Sequence, residues 1–94
     1  MYSFDWDDRK NLLNQMKHNV SFEEASTVFL DENALLKSDP EHSDEEERFI
    51  ILGFSLFANL LVVVHCYRDD DGLIRIISAR KATKREERQY EKRI

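Results

Sequence analysis

The stretch RFIILGFSLFANLLVVVHCYRDDDGLIRIISAR, residues 48–80, decides the fold. Two apolar runs, Arg48 to Ser55 and Leu60 to Arg68, are separated by the short link Leu56 to Asn59. A third, Leu73 to Arg80, follows Asp69-Asp70-Asp71-Gly72, a strong tight-turn sequence because Asp and Gly tolerate the positive φ that hairpin turns require. Consecutive strands on short links run antiparallel, since a parallel return needs a long crossover. Strict alternation then puts Leu60, Val62, Val64 and Cys66 on one face and Leu61, Val63, His65 and Tyr67 on the other. In the last strand Arg80 shares phase with Ile74, Ile76 and Ser78, while Arg75 and Lys81 take the opposite face.

Outward from this meander the chain turns helical at both ends. Tyr2 to Trp6 reads as a short edge strand. Asp7 or Asp8 caps a helix to about His18, with Leu12, Leu13 and Met16, then Val20, as its apolar face. Acidic residues open it, Lys17 and His18 close it, and Asn19 suits a left-handed cap. Ser21 and Glu24 have capping-box spacing and open a second helix that carries Phe22, Ala25 and Phe29 and ends near Leu30. Ala34 to Lys37 is a candidate strand. Six carboxylates in the nine residues Asp39 to Glu47 read as a solvated loop. Thr83 and Glu86 form another capping box and open a final helix with Tyr90. The expected fold is therefore α+β: an antiparallel sheet of three to five strands, two N-terminal helices and one C-terminal helix.

Ninety-four residues support a single domain, 1–94, with one modest core. Six Phe, three Tyr and one Trp argue against disorder. The lone Cys66 cannot pair internally, which favours a reducing compartment. The longest apolar run, Leu60 to Val64, is far short of a membrane span. Asp5, Asp7, Asp8 and Arg9 stand within the first ten positions, unlike a secretory leader, and a cytoplasmic location is expected. The net charge of -5 conceals a split: residues 75–94 hold eight basic and three acidic side chains, a net +5, leaving -10 on residues 1–74. The two parts either neutralise each other across the fold or present two surfaces to two kinds of partner.

No spacing points to a metal: His18, His42, His65 and Cys66 are scattered. Neither glycine sits in a phosphate-cradling loop. Cys66, in an apolar strand, reads as a buried inert thiol. His65 is either a core histidine held by a hydrogen bond or an imidazole at a cleft. Arg80 closes an apolar strand face, a good place to hold phosphate or carboxylate. Lys84, Arg88 and Lys92 recur at i, i+4, i+8, a cationic stripe that suits a polyanion or is offset by Glu87 and Glu91. Arg80, Lys81, His65 and Tyr90 are the kinds of group that metal-free RNA cleavage uses: a base for the ribose 2′-hydroxyl, cations for the phosphate and a proton donor for the leaving oxygen.

Three segments together carry a resemblance. They are Trp6-Asp7 with Lys10, Asn14, Lys17-His18 and Val20-Ser21-Phe22-Glu23-Glu24-Ala25 through Val28-Phe29; Glu47-Arg48-Phe49-Ile50 with Gly53; and Arg75 to Thr83 with Glu86 and Tyr90. Over nearly its whole length the chain resembles the BrnT family of bacterial toxins. The resemblance implies a RelE-like ribonuclease fold with no cofactor and no metal. It implies RNA as substrate, and neutralisation by a BrnA-like antitoxin whose ribbon-helix-helix domain binds operator DNA, so that the toxin meets DNA only indirectly. The matching polar positions are Lys17, His18, Arg48, Arg75, Arg80 and Tyr90. On this reading Arg48 and Arg80 bind phosphate or the transition state and His65 serves as acid or base. Lys17, His18, Arg75, Lys81, Lys84 and Arg88 would line the path of the RNA. One departure is Asn19, where the family commonly has Gly; its tolerance of positive φ serves the same cap. The acidic net charge leaves a second possibility, a catalytically weak subunit that acts as a protein-binding module in operon control. Alone, such a chain could also associate with itself.

Overall fold

The computed structural model describes residues 2–42, 46–68 and 72–93. Along them run β1 (Ser3–Asp5), α1 (Asp8–His18), α2 (Phe22–Ser26), a 3₁₀ turn (Thr27–Leu30), β2 (Leu35–Ser38), a second 3₁₀ turn (Pro40–His42), β3 (Phe49–Phe54), β4 (Leu60–Tyr67), β5 (Leu73–Lys81) and α3 (Lys84–Arg93). The strands form one sheet in the order β1-β5-β4-β3-β2. β2 to β5 pair antiparallel, as their short links require, but β1 pairs parallel with β5. The fold is the expected α+β arrangement on a sheet that is mixed rather than wholly antiparallel. Connectivity explains the difference: two helices and three strands separate β1 from β5, so no hairpin constrains their relative sense.

Caps set the helix ends. Asp7 accepts from the backbone N–H of Arg9 at 2.8 Å and of Lys10 at 3.1 Å, which holds its carboxyl below the usual carboxylate range despite the opposing effect of desolvation. Asn19 ends α1 at φ 58°. Ser21 accepts from the Glu24 N–H at 3.0 Å. The Glu24 carboxylate does not return to Ser21; it turns inward to accept from Ser55 Oγ at 2.7 Å and Asn59 Nδ2 at 2.8 Å, bracing the β3–β4 hairpin. At α3 the capping box is complete, with Thr83 N–H donating to Glu86 Oε1 at 2.8 Å and Glu86 N–H to Thr83 Oγ1 at 3.2 Å. Of the expected Asp69–Gly72 turn, Asp69 to Asp71 lie outside the described residues; Gly72 has φ 84°. Of the acidic loop, residues 43–45 are likewise outside them, and Pro40–His42 form the second 3₁₀ turn.

The core lies on one face of the sheet. Val20, Phe22, Ala25 and Val28 from the N-terminal segment pack on Ile51, Leu61, Val63, Ile76 and Ala79. Gly53 permits this approach: a Cβ there would stand 2.9 Å from Ala34 Cβ and 3.0 Å from Val28 Cγ1. On the other face a smaller cluster, Leu52, Val62 and Tyr90, lies beneath α3.

Two expectations about side-chain direction fail, each for an identifiable reason. The α1 residues Leu12, Leu13 and Met16 are 59%, 53% and 76% exposed, while Asn11 and Asn14 face inward. Hydrogen bonds, rather than apolar burial, dock this helix. Asn14 Nδ2 donates to the carbonyls of Val20 (2.9 Å) and Ala79 (2.8 Å), and its Oδ1 accepts from the Ala79 N–H at 3.1 Å. Asn11 Oδ1 accepts from the Phe22 N–H at 2.8 Å. The Asn14 amide thereby satisfies the Ala79 backbone, which lies beyond the parallel pairing of β1 with residues 73–75 of β5.

The second concerns β5. Ser78 pairs with Val64 and Ile76 with His65, so Ile77 is an extra residue, a β-bulge. The bulge inverts the alternation. Ile74, Ile76, Ala79 and Lys81 pair with one face of β4, and Arg75, Ser78 and Arg80 with the other. Arg80 therefore keeps company with Arg75 and Ser78, not with Ile74 and Ile76.

Candidate functional site

The face of the sheet opposite the core carries an open groove of about 450 Å³. Its floor is Ile50, Val62 and Val64 of β3 and β4, joined by cross-strand pairing to Ser78 and Arg80 of β5. Arg48, the residue before β3, stands at one wall with Asp39 and Glu41. Lys17 and His18, the last residues of α1, form the other wall. Asn14 secures that position, because its bonds to Ala79 fix the end of α1 against the strand that carries Arg80.

Arg80 is held by a two-pronged contact. Its Nη1 donates to Glu86 Oε1 at 2.8 Å and its Nη2 to Glu86 Oε2 at 2.9 Å, with a further bond from Nη1 to the Lys81 carbonyl at 3.3 Å. Hydrogen bonding to Arg80 draws the Glu86 carboxyl down to about 2, against desolvation, and Glu86 in turn raises Arg80. Both remain ionised under ordinary conditions.

The sequence-derived candidates separate cleanly. Lys17, His18, Arg48 and Arg80 converge on the groove. Arg75 lies on the same sheet face but is ion-paired with Asp5 of the neighbouring strand. Lys81 lines a different cleft, with Phe54, Leu60 and Tyr90. Lys84 and Arg88 are exposed on α3 and do not line the groove. The cationic tail is thus divided between the groove, an ion pair across the fold and a solvated helix.

His65 does not reach the groove. It is fully buried among the core residues of the opposite face, edge-on to the Phe29 ring at 4.8 Å between centroids. Its Nδ1 lies 3.2 Å from the Val63 carbonyl and its Nε2 3.4 Å from the Tyr67 hydroxyl. Burial pulls its pKa down to about 4, outweighing the Val63 carbonyl, so the ring is neutral at pH 7. The assignment of His65 as acid or base is therefore corrected: alternation along β4 points it at the core, where a ring nitrogen finds the partner a buried imidazole needs. Tyr90 is also removed from the groove. Its hydroxyl donates to Asp31 Oδ2 at 2.7 Å, its ring packs on Phe54, and burial followed by the Asp31 contact pushes it up to about 12. It fastens α3 to the fold. Cys66 is buried, and desolvation, then Glu46, raises its thiol, which suits the inert reading.

Reasoning from chemistry alone missed Ser78, Asn14 and Glu86. A polar residue on the apolar phase of β5 marked Ser78, and an Asn amid Leu12, Leu13 and Met16 marked Asn14. Among the described residues, no group of three or more His, Cys, Asp or Glu is arranged to hold a metal ion, and no helix is long and apolar enough to cross a membrane.

A family model described as the ribonuclease toxin BrnT of type II toxin–antitoxin systems matches residues 6–86, most of the chain. The chain belongs to the BrnT family. A search of curated proteins gave no match. Among solved structures, the chain is similar to the Brucella abortus ribonuclease toxin BrnT, whose crystal structure was determined at 1.1 Å resolution. The two share 22% identity with a TM-score of 0.66, over 89% of this chain and all of the other. That likeness establishes the fold. The family match places the groove on a ribonuclease toxin, a class defined by an RNA substrate and an antitoxin partner.

Proposed function

We propose that this BrnT-family chain is a metal-independent endoribonuclease that blocks translation and works through the groove of Arg48, Arg80, Lys17 and His18. One observation carries the reading: three elements distant in sequence bring two guanidiniums, an ammonium and an imidazole to one concave, partly apolar surface. Side chains of these kinds supply what the reaction asks for. The RNA 2′-oxygen attacks the adjacent phosphorus as its proton passes to a base, the bond to the 5′-oxygen breaks, and that oxygen takes up a proton. The products are a 2′,3′-cyclic phosphate and a 5′-hydroxyl. Arg80 and Arg48 stabilise charge on the non-bridging oxygens, Lys17 holds the flanking backbone, and His18 carries protons. Ile50, Val62 and Val64 form an apolar floor on which a base can rest.

The expected partner is a BrnA-like antitoxin with a ribbon-helix-helix domain, through which the pair represses its own operon in the cytoplasm. A second reading, protein binding without catalysis, draws on the outward apolar stripe Leu12, Leu13 and Met16 of α1, which suits a partner surface.

Inducible expression in a bacterial host tests the choice. Growth arrest with RNA cleavage, both lost in Arg80→Ala through a drop of roughly 10²–10³-fold in turnover, is the expected result. Soluble, folded wild-type protein that leaves growth and RNA intact would favour the binding module.

A further inference from the structure

The Arg80–Glu86 contact uses a specific part of the guanidinium. A guanidinium has five N–H donors in one plane, arranged as an end fork, shared by the two terminal nitrogens, and a side fork, formed by Nε and the outer hydrogen of Nη2. Glu86 occupies the end fork with both carboxylate oxygens. The Lys81 carbonyl takes the remaining hydrogen of Nη1. Among the described residues, the side fork has no partner, and the Arg80 side chain is 42% exposed at the groove.

Glu86 is itself anchored twice over. Its backbone N–H and its Oε1 both engage Thr83 in the capping box, so the carboxylate is fixed by the start of α3 rather than by Arg80 alone. Glu86 lines the adjoining cleft with Ile50, Leu52 and Val62, and a carboxylate this near a site for a polyanion opposes phosphate binding.

We propose that Glu86 is a positioning residue: it clamps the end fork of Arg80 so that the side fork faces the groove, set to grip one phosphodiester bidentately. The inference rests on the ribonuclease reading of the groove and names how its main cation is oriented. Glu86 touches no substrate. It trades ground-state affinity for the orientation of Arg80, so its removal separates binding from turnover. A negative charge lost beside the groove leaves KM unchanged or lower, whereas a guanidinium free to swing lowers kcat.

The test measures KM and kcat on RNA for the wild type, Glu86→Gln and Thr83→Ala, with melting curves for each. Glu86→Gln should lower kcat by roughly tenfold to a hundredfold with KM no higher than wild type. Thr83→Ala, which weakens the cap but keeps the clamp, should lower the melting temperature and keep kcat. A Glu86→Gln kcat equal to or above wild type overturns the proposal, as does an equal kcat loss in both variants, which would make the role one of helix capping. Arg80→Lys supplies an independent arm, since it keeps the charge and the pairing to Glu86 but has no second fork. Loss of kcat there supports the proposal; wild-type kcat overturns it. Folded wild-type protein that cleaves no RNA overturns this inference and the ribonuclease reading together, whereas the other failures leave that reading intact.

Discussion

The two histidines His65 and His18 mark the contrast between the two sides of one sheet. His65 lies on the side that α1, α2 and the first 3₁₀ turn close off, edge-on to Phe29, neutral and without solvent. His18 lies at the end of α1 on a side that is left open, beside Lys17, Arg48 and Arg80. Residue type does not decide which histidine can do chemistry; strand phase and helix length do. β4 alternates His65 into the core, while α1, held at Asn14, ends with Lys17 and His18 at the wall of the groove. The closed face supplies cohesion and the open face supplies charge.

The sharpest way to break this contrast is through pH. His65 has a folded pKa of about 4 against 6.5 for an ordinary imidazole. Between those values the unfolded chain binds the extra proton, so stability is full above pH 6.5 and declines as pH falls towards 4, by up to about 3 kcal/mol. Chemical denaturation at pH 7 and pH 4.5 should show that decline in the wild type. It should be largely absent in His65→Gln, where only carboxylates such as Glu86 contribute, below pH 5. An unchanged pH slope in the variant would mean that His65 is not the buried neutral imidazole the packing describes.

A smaller effect sharpens the account of α1. Because Leu13 and Met16 point outward, Leu13→Ser and Met16→Ser should each change stability by no more than about 0.5 kcal/mol. Losses of about 2 kcal/mol or more, the scale for emptied core positions, would restore the apolar stripe to the interior.

Much of the fold was legible in the sequence. Alternating apolar runs and the Asp-Gly turn marked the meander, and both Ser/Thr-to-Glu spacings marked real helix starts. Less legible were directions. A helix docked by Asn11 and Asn14 defeats a reading that assigns Leu, Leu and Met to the core, because side-chain amide bonding to backbone groups leaves no hydrophobic signature. The bulge at Ile77 has no local sequence signal either, and it alone changes which residues accompany Arg80. Within the candidate site, Arg48, Arg80, Lys17 and His18 are brought together from positions tied only by a resemblance, whereas His65 and Tyr90 carried suitable chemistry in unsuitable places. Glu86 was visible as a helix cap; its grip on Arg80 depends on how α3 lies over the sheet.

The most direct measurement of the central claim is RNA cleavage by His18→Ala beside His65→Gln, each first shown to fold. The open-face account expects His18→Ala to lose activity by roughly 10²-fold or more, the scale of a general acid or base, and His65→Gln to cleave at close to the wild-type rate. Folded His65→Gln that no longer cleaves RNA, next to an active His18→Ala, would contradict it and move the chemistry to the closed face of the sheet.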